Sequence, residues 1–270
     1  MRQFTLCIRL ALSSLLTVPF FAQAQDQKTH HKGELYFSWG YNTEWYTRSN
    51  VHISQPSIGN NYTFTSIRGI DHRGWDEGLF NEALSIPQYN YRLGYFFNEK
   101  KDLAFEINFD HTKFIFSDQN AHIKGTLNGR PVDSTIAFSQ ANGFYYFLNN
   151  GANFLLFNIV KRLHIYRAPS EKLKIDFLGK AGIGPVIPHV QNSLFGHPND
   201  QGFQFGGWNI GTEACLRATF FRYVYLEFTN KLDYARYSHL GIYEGTASQA
   251  FGCYEWILNL GITLPTGRSH

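Results

Sequence analysis

The chain has 270 residues, with 24 Lys and Arg against 21 Asp and Glu and a formal net charge of +3. A balance this close to neutral gives no electrostatic footprint for a nucleic acid, and three cysteines in a chain of this length do not make a disulfide framework. Aromatic residues make up 17% of the sequence while Met occurs once, so its apolar character is carried largely by rings.

Met1-Arg2-Gln3 opens on a positive charge that Arg9 repeats, Leu10 to Phe21 is mostly apolar, and Ala22-Gln23-Ala24 closes the segment. Charged start, short apolar run and A-x-A end read as a secretory signal peptide over 1–24, cut after Ala24. Cys7 leaves with it, and no Cys follows the cut to carry a lipid. Residues 25–32, with His30-His31, read as a flexible mature start. Losing Arg2 and Arg9 leaves 22 basic side chains against 21 acidic. The longest later apolar run, Phe154-Leu155-Leu156-Phe157-Asn158-Ile159-Val160, falls far short of the roughly 18 residues of a membrane-spanning helix.

Eight long strands are expected, at 33–46, 86–98, 102–116, 151–167, 172–186, 206–219, 222–233 and 250–264. Their signature is alternation, because successive strand side chains point to opposite faces. Tyr89, Tyr91, Leu93 and Tyr95 oppose Asn90, Arg92 and Gly94; Phe105, Ile107 and Phe109 oppose Glu106, Asn108 and Asp110. Strands 2 and 3 join across Glu99-Lys100-Lys101, strands 4 and 5 across Ala168-Pro169-Ser170-Glu171, and strands 6 and 7 at Phe220-Phe221. The other connections, 47–85, 117–150, 187–205 and 234–249, are long for a compact soluble domain. Short turn alternating with long loop is the rhythm of outer-membrane barrels, and eight strands put both termini on the periplasmic side. Residues 33–264 therefore read as one all-β domain, an eight-stranded antiparallel up-and-down transmembrane barrel with long extracellular loops. Residues 265–270 form a tail. The soluble alternative, a lipocalin-like barrel or jelly roll, leaves the ionic face of nearly every strand unexplained.

Parity then assigns inside and outside. Even positions of 208–217 face lipid, as do Val224, Leu226, Phe228 and Leu232, and Tyr254, Trp256, Leu258, Leu260 and Ile262. The lumen receives Glu34, Glu44, Arg92, Glu106, Asp110, Lys174, Asp176, Lys180, Glu213, Arg217, Glu227, Lys231, Asp233 and Glu255, with Thr229 and Asn259 beside them. Both signs occur, which predicts a paired network, and eight strands enclose just enough space for their own side chains. A filled lumen is not an open pore. Trp39, Tyr41, Trp45 and Tyr46 at one end, with Tyr223 and Tyr225 at the other, suit aromatic girdles.

The layout resembles the small eight-stranded outer-membrane barrels of the OmpA, OmpX and OmpW kind over essentially the whole mature chain. Segments 86–96, from Ile86-Pro87 to Phe96, and Phe109-Asp110-His111-Thr112-Lys113 are similar to uncharacterised barrel proteins of Bacteroidota. The resemblance implies outer-membrane residence in a Gram-negative bacterium and says little about activity.

Barrels of this size that are enzymes usually modify lipid A, which singles out two clusters. Tyr237-Ser238-His239-Leu240-Gly241-Ile242 resembles the C-terminal motif of the PagL lipid A deacylases, which implies Ser238 as nucleophile, with Glu255 as the carboxylate only if the register shifts by several residues. The family's His lies two residues before its Ser, where this chain has Arg236, which stays protonated and cannot take a proton. His239 does not replace it in a regular strand, because neighbours face opposite ways. His52-Ile53-Ser54 puts His52 and Ser54 on one face, about where PagP-type acyltransferases keep a catalytic His. No Asp-Ser partner follows.

Neither His30-His31 nor His189 and His197 make a metal pattern, so no metal is expected, and with no phosphate-binding loop no cofactor is expected either. Cys215 and Cys253 share lumen parity but sit on non-neighbouring strands, so free thiols are expected. Ile123–Leu127 and 132–138 flank Asn128-Gly129, a hairpin signal, and the first long loop carries a polar-aromatic set suited to binding: Asn60 to Thr65, Arg68, Asp71, His72, Arg73 and Trp75. The expected protein is a monomeric envelope or extracellular-binding barrel. Its expected partners are outer-membrane lipid, lipopolysaccharide and an extracellular ligand held by the loops. A lipid A acyl hydrolase or transferase and a narrow OmpW-like transporter are the alternatives.

Overall fold

The computed structural model describes residues 33–74, 88–98, 102–148 and 151–266. The expected signal peptide, residues 25–32, Trp75 and the Glu99-Lys100-Lys101 turn lie outside the described residues. In chain order the strands begin with β1 (Glu34–Tyr46), β2 (Ser49–Gln55), β3 (Asn60–Ile67), β4 (Tyr89–Asn98), β5 (Leu103–Asp110) and β6 (Phe114–Phe116). Next come β7 (Gln119–Leu127), β8 (Arg130–Phe138), β9 (Tyr145–Leu148), β10 (Phe154–Arg167) and β11 (Leu173–Val186). The last are β12 (His189–Leu194), β13 (His197–Phe203), β14 (Gly207–Phe220), β15 (Val224–Ile242) and β16 (Gly245–Pro265).

Eight of these form a ring in the order β1-β4-β5-β10-β11-β14-β15-β16, and β16 pairs back onto β1 from Glu34↔Pro265 to Tyr46↔Cys253. Every pairing is antiparallel. Closure removes the sheet edges, so the ring leaves no row of unpaired backbone groups. The outward face is apolar. On β16 it reads Leu264, Ile262, Leu260, Leu258, Trp256 and Tyr254, which is about 33 Å of strand and, at a tilt of about 35–45°, about 25 Å of height. Asn230 interrupts this face on β15, and Tyr254 satisfies it by donating its hydroxyl to Asn230 Oδ1 at 2.6 Å.

Large lumen side chains need room, and inward glycines supply it. A Cβ on Gly94 would stand 2.1 Å from Tyr36 Cζ, and one on Gly261 2.2 Å from Tyr225 Cζ. These two glycines are seats for rings. Gly94→Val is expected to lower stability by about 1–3 kcal/mol through overpacking, read as an earlier urea midpoint in detergent; an unchanged midpoint would show that Tyr36 can move aside.

The end with long connections departs from expectation. The polar outer faces of 234–249 read as loop, yet β15 runs on to Ile242 and β16 starts at Gly245. The alternation persists on the inner side, where Ala235, Tyr237, Leu240, Ile242, Ala247 and Phe251 are all buried. Thr246–Gln249 of β16 then pair with β2, and the sheet continues through β3, β7 and β8. The expected third strand also divides, because the chain leaves the ring after Asp110 and Phe114–Phe116 join a second sheet, β13-β12-β9-β6. The hairpin at Asn128-Gly129 forms as expected, with Leu127 opposite Arg130 and both turn residues at positive φ, the geometry of a primed turn.

The two sheets make a sandwich over the ring's mouth, held by an aromatic core. Phe116 of β6 stacks on Phe138 of β8 with ring centroids 4.0 Å apart, and Phe64 of β3 meets both edge-on at 5.5 and 5.1 Å. Phe114 stacks on Phe251 of β16 at 4.8 Å. The same core runs down through Tyr46, Phe154, Tyr237 and Cys253 into the top of the ring.

Candidate functional site

Two features stand out: the ionic lumen and a groove on the outer face of the upper sheet. In the lowest tier of the lumen Arg162 donates to Glu34 at 2.8 Å and Asp102 at 3.1 Å, its guanidinium lies 4.0 Å over Phe96, and His164 pairs with Asp176 at 2.6 Å. Lys174 is half-buried at the same end.

In the middle tier Lys180 bridges Glu106 at 3.0 Å, Glu227 at 2.9 Å and Glu213 at 3.4 Å. Arg217 donates to Glu227 at 2.6 Å while its guanidinium lies between the rings of Tyr36 and Tyr225, at 4.5 and 4.1 Å. Asn108 and Asn158 donate to Glu213, and Tyr36 donates to Glu106 at 2.8 Å. Arg92 pairs with Asp110 at 2.6 Å.

In the upper tier Lys231 stands among Asp110, Asp233 at 2.6 Å and Glu255 at 3.3 Å. Glu44, directly across from Glu255 in the β1–β16 register, accepts from the amides of Asn42 and Gln88. Lys231 Nζ is 5.5 Å from the Phe154 ring, where the ionic stack meets the aromatic core. An isolated buried ion is costly, so this interior is tolerable only because the charges face one another. Asp110, Asp233 and Glu255 bring ligand atoms within 4.8 Å of one another, the arrangement of a cation site. The Lys231 ammonium is the cation among them.

All the residues assigned to the lumen by parity line the inside of the ring. Arg162, Asp102, His164, Asn108 and Asn158 also belong there. Asn158, Arg162 and His164 share one parity in the fourth expected strand, so the same reasoning could have found them; the apolar run before them hid the pattern. Asp102 lies at the strand's edge, where parity gives no direction.

The groove is made by the outer faces of β15, β16 and β2. Side chains on β16 are small here, Thr246, Ser248 and Ala250, and they form a floor between longer side chains on either flank. Tyr234, Arg236, Ser238 and His239 rise from β15, and Asn50, His52 and Ser54 from β2, around a volume of about 540 Å³. Register sets this arrangement, with Ser248 paired to His52, Thr246 to Ser54 and Ala250 to Arg236.

The two serine–histidine clusters, far apart in the chain, thus meet in one groove. The argument that Ser238 and His239 face opposite ways is corrected: the β15–β16 register shifts between Tyr237 and Leu240, His239 takes φ +56°, and both line the groove. A bulge re-aims side chains that a regular strand would separate. Glu255 is not part of it, being buried in the lumen beside Lys231. His52 directs Nδ1 to Thr63 Oγ1 at 3.1 Å, not to a carboxylate. No Asp or Glu is among the residues lining the groove, so the third member of a hydrolytic triad is missing from it.

His189 and His197 go separate ways: His189 Nε2 pairs with Asp200 at 2.6 Å, and the His197 ring stacks on Tyr243 at 4.4 Å. Asp200, on the upper sandwich, is held down to about 2 from an ordinary 3.8, first by the Gln191 amide and next by His189. A carboxylate depressed on folding stabilises above its unfolded value and loses that contribution as pH falls through the folded one. The support Asp200 gives the β12–β13 hairpin is therefore complete above about pH 4 and fades toward pH 2. A carboxyl NMR titration should show a midpoint near 2, and Gln191→Leu should raise it; a variant midpoint that stays put would take the role away from Gln191. Cys215 and Cys253 are buried free thiols. In the first long loop, Tyr62 and Phe64 are core residues rather than exposed binding groups, and Asp71 turns inward to accept from Thr43 at 2.9 Å.

The ring closes by its own register. The architecture is a closed eight-stranded antiparallel β-barrel. No family model matches the chain, and no curated protein matches it in sequence. Similar solved structures include OprG of Pseudomonas aeruginosa, 11% identical, covering 88% of this chain and 99% of that one with a TM-score of 0.38. Neisserial surface protein A is 7% identical, with 87% and 97% covered and a TM-score of 0.35. Ail, the attachment invasion locus protein of Yersinia pestis, is 13% identical, with 86% and 99% covered and a TM-score of 0.32.

Proposed function

We propose that the protein is a non-conducting barrel of the outer membrane that anchors a rigid β-sandwich at the cell surface, where it serves as a binding or envelope element. The observation that carries this reading is the continuity of the filling. A paired ionic stack occupies the ring from Arg162 to Lys231, and the sandwich core begins where it ends, at Phe154. An apolar belt about 25 Å tall matches the outer bilayer, and the short turns beside the termini belong on the periplasmic side. The transporter alternative needs an opening in the wall, whereas strand pairing runs unbroken around the ring.

Reconstituted into planar bilayers, the folded protein should give no unitary steps. It should fractionate with the outer membrane and shift on gels when heated. Steady channel openings from homogeneous protein would overturn the non-conducting reading, and recovery in the soluble fraction would overturn the membrane reading.

Acyl hydrolysis or transfer on lipid A has one observation in its favour, the meeting of Ser238, His239, His52 and Ser54 in one groove. Against it stands a groove without a carboxylate to orient the imidazole. Mass spectrometry of lipid A from cells with and without the protein decides between them; identical acylation removes the enzyme.

A further inference from the structure

The groove on the upper outer face has a composition that neither anchoring nor hydrolysis explains. Its twelve lining residues include Arg236, His52 and His239 but no acidic side chain, in a chain with 21 acids. Arg236 makes no ion pair or hydrogen bond among the described residues, so its five guanidinium donors are uncommitted. The Nδ1 contact to Thr63 leaves His52 Nε2 for the groove. Ser54, Ser238, Thr246 and Ser248 add hydroxyls, and Asn50 adds an amide. One guanidinium fork with surrounding imidazoles, hydroxyls and an amide suits an anionic group on a sugar, since guanidinium matches phosphate oxygens bidentately and the neutral groups match sugar hydroxyls. A volume of about 540 Å³ lies within the usual size of a ligand site.

Position narrows the ligand further. Tyr234 both lines the groove and stands at the top of the lipid-facing row of β15, and on β16 the row Leu258, Trp256, Tyr254 passes through Gly252 directly to Ala250 and Ser248 of the groove floor. The groove therefore opens just above the apolar belt, at the height of lipid headgroups, and faces the bilayer's own molecules rather than the medium above the sandwich.

We propose that this groove holds the phosphorylated saccharide headgroup of an outer-leaflet glycolipid, with Arg236 and His239 on the phosphate and His52 Nε2 beside them. The proposal rests on outer-membrane residence, and its test separates the two. Full-length protein, folded in detergent and verified by its heat-dependent gel shift, is titrated with phosphorylated lipopolysaccharide, with the same material dephosphorylated, and with inorganic phosphate. Folded protein should prefer the phosphorylated glycolipid by about ten-fold or more, the scale of one to two charge-assisted hydrogen bonds. Arg236→Gln with His239→Gln should abolish the preference, whereas Arg130→Gln at the exposed β7–β8 turn should keep it. Equal binding of both glycolipids by folded protein overturns the proposal while leaving the barrel intact. Inorganic phosphate binding as tightly as the glycolipid overturns the headgroup assignment. Acyl release that Ser238→Ala abolishes overturns it in favour of the enzyme. Protein that never shows the gel shift and stays soluble without detergent instead refutes the membrane reading beneath it.

Discussion

Lys231→Met is expected to lower the stability of the folded barrel by about 3–5 kcal/mol, the cost of breaking a buried ion pair by removing one partner. Met keeps the stem's volume, so the loss is one of charge. Lys231 is the shared counter-charge of Asp110, Asp233 and Glu255, and all three are buried. Asp110 retains Arg92 at 2.6 Å, whereas Asp233 and Glu255 have no second cation among their ion pairs. The measurement is the urea midpoint of the heat-shifted form in detergent, alongside the yield of that form on refolding. Adding Asp233→Asn and Glu255→Gln to Lys231→Met should recover most of the loss, because the uncompensated charges go with their partner. A single variant within about 1 kcal/mol of the parent would mean that water reaches these carboxylates, and the lumen would then not be the closed stack described above.

That network was legible in the sequence because parity holds wherever a strand runs without a bulge: once Tyr89, Tyr91 and Tyr95 face outward, Arg92 has only the lumen. The hairpin at Asn128-Gly129 was legible for a similar reason, since a primed two-residue turn demands residues that tolerate positive φ. The upper half was not. Residues 234–249 keep their inner alternation, but polar outer side chains made them look like loop, and Phe114 and Phe116 join a sheet whose other strands lie far along the chain. The bulge that brings Ser238 and His239 to one side carries no sequence mark, because His at positive φ is set by the surrounding pairing. The groove is harder still to read: Ser248 pairs with His52 although most of the chain lies between them, and such a juxtaposition has no local pattern.

The sandwich and the ring share β15 and β16, which raises the question of whether they melt together. Phe116→Ala is the substitution that separates them. Phe116 is fully buried, stacked on Phe138 and edge-on to Phe64, so it ties the second sheet to the first. Truncating a buried Phe costs about 3–5 kcal/mol, and here the whole cost falls on contacts above the ring. Among the described residues, the ring contacts of Phe116 are to Phe138 and Phe64, outside the ionic stack and the β1–β16 register. The expected result is therefore a split: β6, β8 and β12 become open to protease in folded, detergent-bound protein, while a core containing β14 to β16 keeps its heat-dependent gel shift. Bulge geometry supports this division, because the β15–β16 ladder is already interrupted between Tyr237 and Leu240, where unravelling from above can stop. Simultaneous loss of protease resistance and of the gel shift would show instead that the aromatic core at Phe154 and Phe251 couples the halves into one cooperative unit. In that case the sandwich would be part of what holds the barrel shut, not cargo that the barrel displays.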